Sequence, residues 1–271
     1  MSPELRRWTE PHLARIEAEL ARMGDSAEPS FRDALLYPLQ TGGKRIRPLL
    51  ACAAAESVGG TSDQALDAAI ALELVHTYSL VHDDLPAMDD DNERRGRPTV
   101  HVVFGEAAAI LVGDALLTAA FERVADAPSL VRELARAAGG AGMVGGQYLD
   151  VCGKAFDLES LSHLHRLKTG ALLRAAVRMG GLAAEANEAQ MLALTRYGAA
   201  VGLAFQVADD LLDADEVAGE GGPPSFVRLL GIEGTRREAH RLAEEAVSAA
   251  QDLPNPLVLT ALARFTVERT L

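Results

Sequence analysis

Two cysteines, Cys52 and Cys152, are all the chain has in 271 residues, so a disulfide framework is excluded and a reducing compartment, the cytoplasm, is expected. Aromatic residues are scarce too, at 4% against 48% hydrophobic, which leaves Ala, Leu and Val to build a core suited to close helix packing. Alternating runs of Val, Ile and Thr are missing, which argues against a sheet. No uninterrupted apolar run reaches about 18 residues, so no membrane span is expected. The start, Met1-Ser-Pro-Glu-Leu-Arg-Arg-Trp8, lacks the apolar core of a signal peptide. With no Pro/Gly/Ser-rich linker and no low-complexity block, residues 1–271 are expected to form one domain. Positive charge is in deficit as well: 26 Lys plus Arg against 39 Asp plus Glu give a net charge of −13, which disfavours nucleic acid and anionic membrane surfaces as partners. Lysine is nearly absent within that deficit. Lys44, Lys154 and Lys168 are the only three, and two of them fall inside motifs described below.

What is present in excess is clustered acid. The segment His76-Thr-Tyr-Ser-Leu-Val-His-Asp-Asp-Leu-Pro-Ala-Met-Asp-Asp-Asp-Asn-Glu-Arg-Arg-Gly96 runs from an apolar helix into Asp83, Asp84, Asp89, Asp90 and Asp91, then into Arg94 and Arg95. Bare carboxylates at that density repel one another, so hard cations are needed among them. Mg2+ fits, because it takes a few carboxylates together with phosphate oxygens. The adjacent arginines suit the phosphate ester that such ions hold. A second cluster, Asp209, Asp210 and Asp213, ends the run Phe205-Gln-Val-Ala-Asp-Asp-Leu-Leu-Asp213, and Asp209 and Asp213 share a helix face at a spacing of four. The two clusters are read as facing each other and clamping a diphosphate through metal.

Along the rest of the chain the pattern is helical. Apolar positions at Leu5, Trp8, Leu13, Ile16, Leu20 and Met23 give a first packing helix. A second helical segment ends at Thr41-Gly-Gly-Lys-Arg-Ile-Arg-Pro48, a turn whose Lys44 and Arg47 make a plausible anion site before Pro48 opens the next helix. Thr61-Ser-Asp-Gln64 has capping-box spacing and opens a long apolar helix over Ala65 to His82, with Asp83 and Asp84 at its end because Pro86 disfavours helix at Leu85. His76 lies two turns before Asp83, about 10 Å along the same face. Val100 to Val124 reads as a helix interrupted at Gly113 and Asp114, with Asp114 a structural residue paired in the core. The glycine-rich Gly139 to Gly146 follows no strand, so a phosphate-loop reading fails; it leads into Gly145-Gly-Gln-Tyr-Leu-Asp150. Asp157 can cap Leu158 to Met179, where Lys168 and Thr169 sit among apolar neighbours and the lone Lys must snorkel or meet an anion. Asn187-Glu-Ala-Gln190 caps the helix that carries Gln206 and the second acidic cluster, and two amphipathic helices finish the chain.

These residues resemble the trans-type isoprenyl diphosphate synthases, most closely the short-chain bacterial farnesyl diphosphate synthases. The motifs that carry the resemblance are Gly42-Gly-Lys-Arg-Ile-Arg-Pro48, His76 to Arg95, Gly145 to Asp150, Lys168-Thr-Gly170 and Phe205 to Asp213, in that order over nearly the whole chain. The resemblance implies an all-α, isoprenoid-synthase-type helical bundle with the two Asp-rich motifs facing a central cavity. It also implies a Mg2+-dependent head-to-tail condensation of isopentenyl diphosphate with dimethylallyl or geranyl diphosphate, and a homodimer. Carried over by position, Asp83, Asp84 and Asp89 would hold two Mg2+ ions, and Asp209, with Asp210 and Asp213, a third. Arg94 and Lys168 would grip the allylic diphosphate, and Lys44, Arg47, His76 and Arg95 the isopentenyl diphosphate, with Thr169 and Gln206 near the cation. Tyr78, about 7.5 Å down the helix from Asp83, would floor the prenyl tunnel beside Ser79, which favours a C15 product, farnesyl diphosphate.

One stretch departs from the family. After the second cluster the family usually carries a Lys-containing loop, whereas residues 214–225 here hold no Lys or Arg and include Asp215 and Glu216. The alternative reading is therefore a catalytically weak or noncatalytic synthase-like subunit that binds an active prenyltransferase. Arg228 or Arg236 is the candidate substitute for the missing cation. A terpene cyclase is disfavoured, because Asp209 to Asp213 does not look like an Asn/Ser/Glu metal motif.

Overall fold

The computed structural model describes residues 1–153, 157–213 and 224–268. In chain order its helices are α1 (Pro3–Ala21), α2 (Arg32–Leu36), α3 (Ile46–Ser57), α4 (Leu66–Asp83), α5 (Val100–Phe104), α6 (Glu106–Arg123), α7 (Pro128–Ala138), α8 (Met143–Cys152), α9 (Leu158–His165), α10 (Ala171–Ala183), α11 (Glu188–Leu212), α12 (Phe226–Ala250) and α13 (Leu257–Glu268). The expected all-α bundle is what forms. Its one exception among the described residues is a two-residue antiparallel ribbon in which Glu93–Arg94 pairs with Arg97–Pro98.

Helix α4 is the axis of the bundle. Leu66 to Asp83 contains no Pro or Gly to break it, and Ala68 through Val75 are nearly all fully buried, so the helix is apolar all round and needs neighbours on every side. Helices α3, α6 and α10 supply them, with α1 and α7 behind. The aromatic deficit of the sequence shows here as a core of Ala, Leu and Val. Tyr197 is a buried exception, and its hydroxyl donates to the Leu259 carbonyl at 2.8 Å. A second, smaller core (Leu161, Leu203, Val207, Phe226, Leu242) fastens α12 to the far half of α11, where the second acidic cluster lies. Helix α11 is long and apolar enough to cross a membrane by composition, but 61% of its apolar window is buried inside the bundle.

Local signals set most helix starts. Ser2, Asp157 and Asn187 accept backbone N–H groups at the openings of α1, α9 and α11, and the last two form full capping boxes with Ser160 and Gln190. Three expectations need correction. The Thr61 amide does bond Gln64 Oε1 at 2.9 Å, but the pair closes a turn ahead of α4, whose own N-cap is Ala65 with no side-chain cap. The interruption between Val100 and Val124 falls at Gly105, φ 89°, a conformation that L side chains avoid; Gly113 continues α6 without a break. Asp114 is exposed on that helix rather than paired in the core.

The largest departure lies in Leu158 to Met179. It is one helical path from the Asp157 cap, but it contains a π turn over Arg166–Gly170, between α9 and α10. That turn carries Lys168 and Thr169.

Candidate active site

The end of α4 supplies Asp83 as its last residue and Asp84 as its C-cap, and the two carboxylates diverge. Asp83 faces a cavity of about 370 Å³ lined also by Arg47, His76, Tyr78, Ser79, Lys168 and Thr169, with Met88, Met143, Val144 and Val151 as apolar wall. Asp84 is only 4% exposed and turns to a neighbouring cleft, where Arg94 grips it through Nε at 2.6 Å and also reaches Asp91 at 3.4 Å. Burial alone would lower the affinity of Arg94 for its proton. The Asp84 carboxylate outweighs burial and holds the guanidinium above its ordinary pKa.

The chain loops back after Pro86 so that the Asp89 amide bonds the Asp83 carbonyl at 2.9 Å, bringing a further carboxylate to the same mouth. Burial lifts Asp83 to about 6, and Asp89 and Asp84 add repulsion against the opposing pull of Lys168 and Arg94. Lys168 is in turn ion-paired with Asp150 on α8. The π turn makes that pairing possible by pushing Lys168 and Thr169 toward α8, and Gly146 receives it: a Cβ there would stand 2.1 Å from the Lys168 amide nitrogen.

A second cavity, of about 490 Å³, opens on the other side of Arg47 and His76. Gly43, Lys44, Arg45, Ile46, Glu73, Arg95 and Phe205 complete its lining. Arg95 donates to the Gly42 carbonyl, which ties the ribbon after the first acidic cluster to the anion loop. Burial lowers Arg47 to about 10, offset by Glu73 and Asp209 and reinforced by Arg95. Its Nε has no hydrogen-bond partner among the described residues. His76 is held well below its ordinary value by burial and by Arg47, Arg95 and Arg94, so it is neutral near pH 7.

Helix α11 brings half-buried Gln206, then Asp209 and Asp210 in its last turn and Asp213 as C-cap. Asp209 lies near enough to Arg47 to favour its charged form. Asp210 accepts the Phe226 amide at 2.6 Å from the start of α12, and burial still raises it to about 6, with Asp209 and Asp213 adding to the rise. The structure thus gathers Arg47, His76, Tyr78, Ser79, Asp83, Lys168 and Thr169 around one cavity and Lys44, Arg47, His76 and Arg95 around the other. Asp84 and Arg94 pair beside them. The loop over residues 214–223, on which the departure from the family rests, lies outside the described residues.

Metal is tested by the acidic donors themselves. Among the described residues, no three His, Cys, Asp or Glu side chains form a ready-made cage. Mg2+ rarely needs one, since it is held by one or two carboxylates with substrate phosphates and water completing the shell. Asp83 is partly buried beside Asp89 and Asp84, and Asp210 beside Asp209 and Asp213, so a divalent cation at either cluster would offset the cost of burying carboxylates side by side, and the donor set fits Mg2+.

The polyprenyl synthetase family model matches residues 28–223. The chain belongs to the polyprenyl synthetase family. It is 44% identical over 268 residues to the farnesyl diphosphate synthase of Escherichia coli, covering 88% of each chain. It is 41% identical to the geranylgeranyl diphosphate synthase of Cyanophora paradoxa, covering 94% of this chain and 93% of that one. Among solved structures, an FPP/GFPP synthase from Zymomonas mobilis superposes with a TM-score of 0.89 at 36% identity, over 98% of this chain and 100% of that one. As a family member the chain is a prenyltransferase of the isoprenyl diphosphate synthase class, and these relatives lend no support to a noncatalytic subunit.

Several residues in and around these cavities escaped sequence reasoning. Asp150 stood in a quoted motif without a role. Gln147, whose amide oxygen and nitrogen are both buried on the cavity wall without a partner among the described residues, lay in the same motif. Their signal was available in Gly145-Gly-Gln-Tyr-Leu-Asp150. Arg45 and Glu73 gave none, because a buried ion pair between two distant segments leaves no local pattern.

Proposed function

We propose that the protein condenses isopentenyl diphosphate with geranyl or dimethylallyl diphosphate, head to tail, to give farnesyl diphosphate as its main product. The observation that carries this reading is the pairing of two cavities on either side of Arg47 and His76. One is apolar below and acidic at its mouth; the other is cationic.

The apolar cavity takes the allylic chain, with its diphosphate at Asp83 and Lys168. Asp83, Asp84 and Asp89, together with Asp209, Asp210 and Asp213, would hold Mg2+. Bound there, Mg2+ neutralises the charge that develops on the departing diphosphate. Lys168, and Arg94 from the adjoining cleft, would take that same charge once the substrate has displaced their present partners Asp150 and Asp84. The Thr169 hydroxyl and the Gln206 amide offer dipoles to the allylic cation. The cationic cavity takes isopentenyl diphosphate on Lys44, Arg47 and Arg95 and aims its double bond across the shared wall. His76, kept neutral, is a hydrogen-bonding group there rather than a base. The final proton passes to the departing diphosphate, so no side chain is needed as general base.

Chain length is read from Tyr78. Its ring is 7% exposed, lines the apolar cavity, and is steadied edge-on by His82 at 5.7 Å, so it closes the tunnel rather than rotating aside. Purified protein given Mg2+, labelled isopentenyl diphosphate and geranyl diphosphate is expected to release C15, and Asp83→Ala to release none. A C20 main product would overturn the chain-length assignment, and no product would overturn the reading as a whole.

A further inference from the structure

The cationic cavity contains a carboxylate that an anion site has no use for. Glu73 is, among the described residues, the one acidic side chain lining it, beside Lys44, Arg47, His76 and Arg95. Its side chain is 3% exposed, so water does little to screen it. Left bare, it would repel a diphosphate bound on its neighbours. What it meets instead is Arg45, which is itself 1% exposed.

Arg45 is held by more than that ion pair. One guanidinium nitrogen donates to Glu73 Oε1 at 2.7 Å and another to the Leu39 carbonyl at 2.6 Å. Nε donates to Glu17 Oε1 at 2.7 Å, and the nitrogen that bonds Leu39 also reaches Glu17 Oε2 at 3.3 Å. The side chain therefore staples the anion loop to α1 and α4 at once. Its backbone sits at φ 47°, a left-handed conformation uncommon for a residue with a β-carbon, which persists only where surrounding contacts fix it. That reversal lies between Lys44 and Arg47 and separates the exposed direction of the first from the buried direction of the second.

We propose that Arg45 is a positioning residue for the homoallylic diphosphate: it cancels the buried charge of Glu73 beneath the anion pocket and locks the loop that presents Lys44 and Arg47. The inference rests on the assignment of this cavity to isopentenyl diphosphate. Arg45 has its donors engaged by protein acceptors, so it acts on the substrate through Glu73 and the loop rather than by touching it.

The test is steady-state kinetics with each substrate varied in turn, on wild type, R45M, E73Q, R45M/E73Q and R47Q. R45M is expected to raise KM for isopentenyl diphosphate at least about tenfold, while KM for geranyl diphosphate and kcat change by less than about threefold. Adding E73Q to R45M removes the unpaired charge and is expected to recover most of that rise, and E73Q alone leaves KM at or below the wild-type value. A purely structural ion pair would lower thermal stability and the active fraction for both substrates alike, with no selective rescue by E73Q; that result overturns the proposal. So does an unchanged KM in R45M when R47Q raises it. If R45M and R47Q both leave KM for isopentenyl diphosphate unchanged, the cavity assignment itself fails. Should R45M not fold, R45K, which keeps the charge but loses the fork, is expected to show a smaller selective rise in the same KM, and a wild-type KM in R45K overturns the proposal.

Discussion

The two cavities that share Arg47 and His76 are built by opposite rules. In the cationic one, the charges are fixed in the ligand-free protein: Arg45 is locked to Glu73, Arg95 to the Gly42 carbonyl, and Arg47 is half-buried, its Nε without a hydrogen-bond partner among the described residues. In the apolar one, the charged rim is in a resting state. Lys168 lies on Asp150, Arg94 pairs with Asp84 in the adjoining cleft, and burial, with Asp89 and Asp84 adding repulsion, raises Asp83 to about 6. The difference teaches which substrate drives the rearrangement. An anion binding the first cavity finds its partners already in place. On the proposed assignment, an allylic diphosphate with its metal would have to separate two ion pairs and offset the burial and repulsion of Asp83, so much of its binding free energy would go into assembling the charged rim where the leaving group departs.

The sharpest way to break that contrast is at Asp83. Asp83→Asn is expected to lower turnover at least about a hundredfold, read as product formed under saturating substrates and Mg2+. The same change should stabilise the ligand-free protein at neutral pH. With a folded pKa of about 6 against roughly 4 unfolded, Asp83 contributes stability that is complete below about pH 4 and is lost as pH rises through about 6. Chemical denaturation without metal should therefore show the variant gaining about 1 to 2 kcal/mol on wild type between about pH 4 and pH 7. A variant less stable than wild type at pH 7 would mean that burial and the neighbouring carboxylates do not disfavour the charged Asp83 in the resting site.

On the cationic side, Arg47→Gln should raise KM for isopentenyl diphosphate by about ten- to a hundredfold, the loss of one charge-assisted contact of about 1.5 to 3 kcal/mol, with KM for geranyl diphosphate changed far less. A smaller effect is expected at the floor of the apolar cavity. Tyr78→Ala should shift product from C15 toward C20 by chromatography, with kcat within about tenfold, at a stability cost of about 2 to 4 kcal/mol from the lost buried ring. The smallest is Gly113→Ala. Its Cβ would stand 2.0 Å from His82 Nε2, which is bonded to the Ile110 carbonyl at 3.1 Å, so the ring must move. About 1 to 3 kcal/mol of stability is expected to go, a Tm lower by about 2 to 4 °C per kcal/mol.

How far the sequence reached follows from which signals are local. His76 and Asp83 were placed on one helix face by spacing alone, because an unbroken apolar run fixes helical geometry, and the structure puts both on the same cavity, with Tyr78, which the resemblance singled out, in its wall. Asp157 and Asn187 were legible as caps for the same reason: the bond each makes spans three residues. The helix break was misplaced from Gly105 to Gly113, since both are glycines in apolar surroundings and what separates them is φ 89° at one and the His82 ring against the other. The π turn over Arg166–Gly170 had no sequence sign at all, for it arises where α8 meets that segment at Gly146. The divergence of Asp83 and Asp84 was equally hidden. Neighbouring residues at a helix end point about 100° apart, and only the surroundings decide which faces substrate.

The most direct measurement is a crystal structure with Mg2+ and unreactive thiolo analogues of both isopentenyl and geranyl diphosphate bound together. The account predicts the geranyl chain running down to Tyr78 with its diphosphate at Asp83 and Lys168, Lys168 having left Asp150, and the isopentenyl diphosphate on Lys44, Arg47 and Arg95 with the Arg45–Glu73 pair unmoved. Both diphosphates in one cavity, or the geranyl chain in the cationic one, would contradict it.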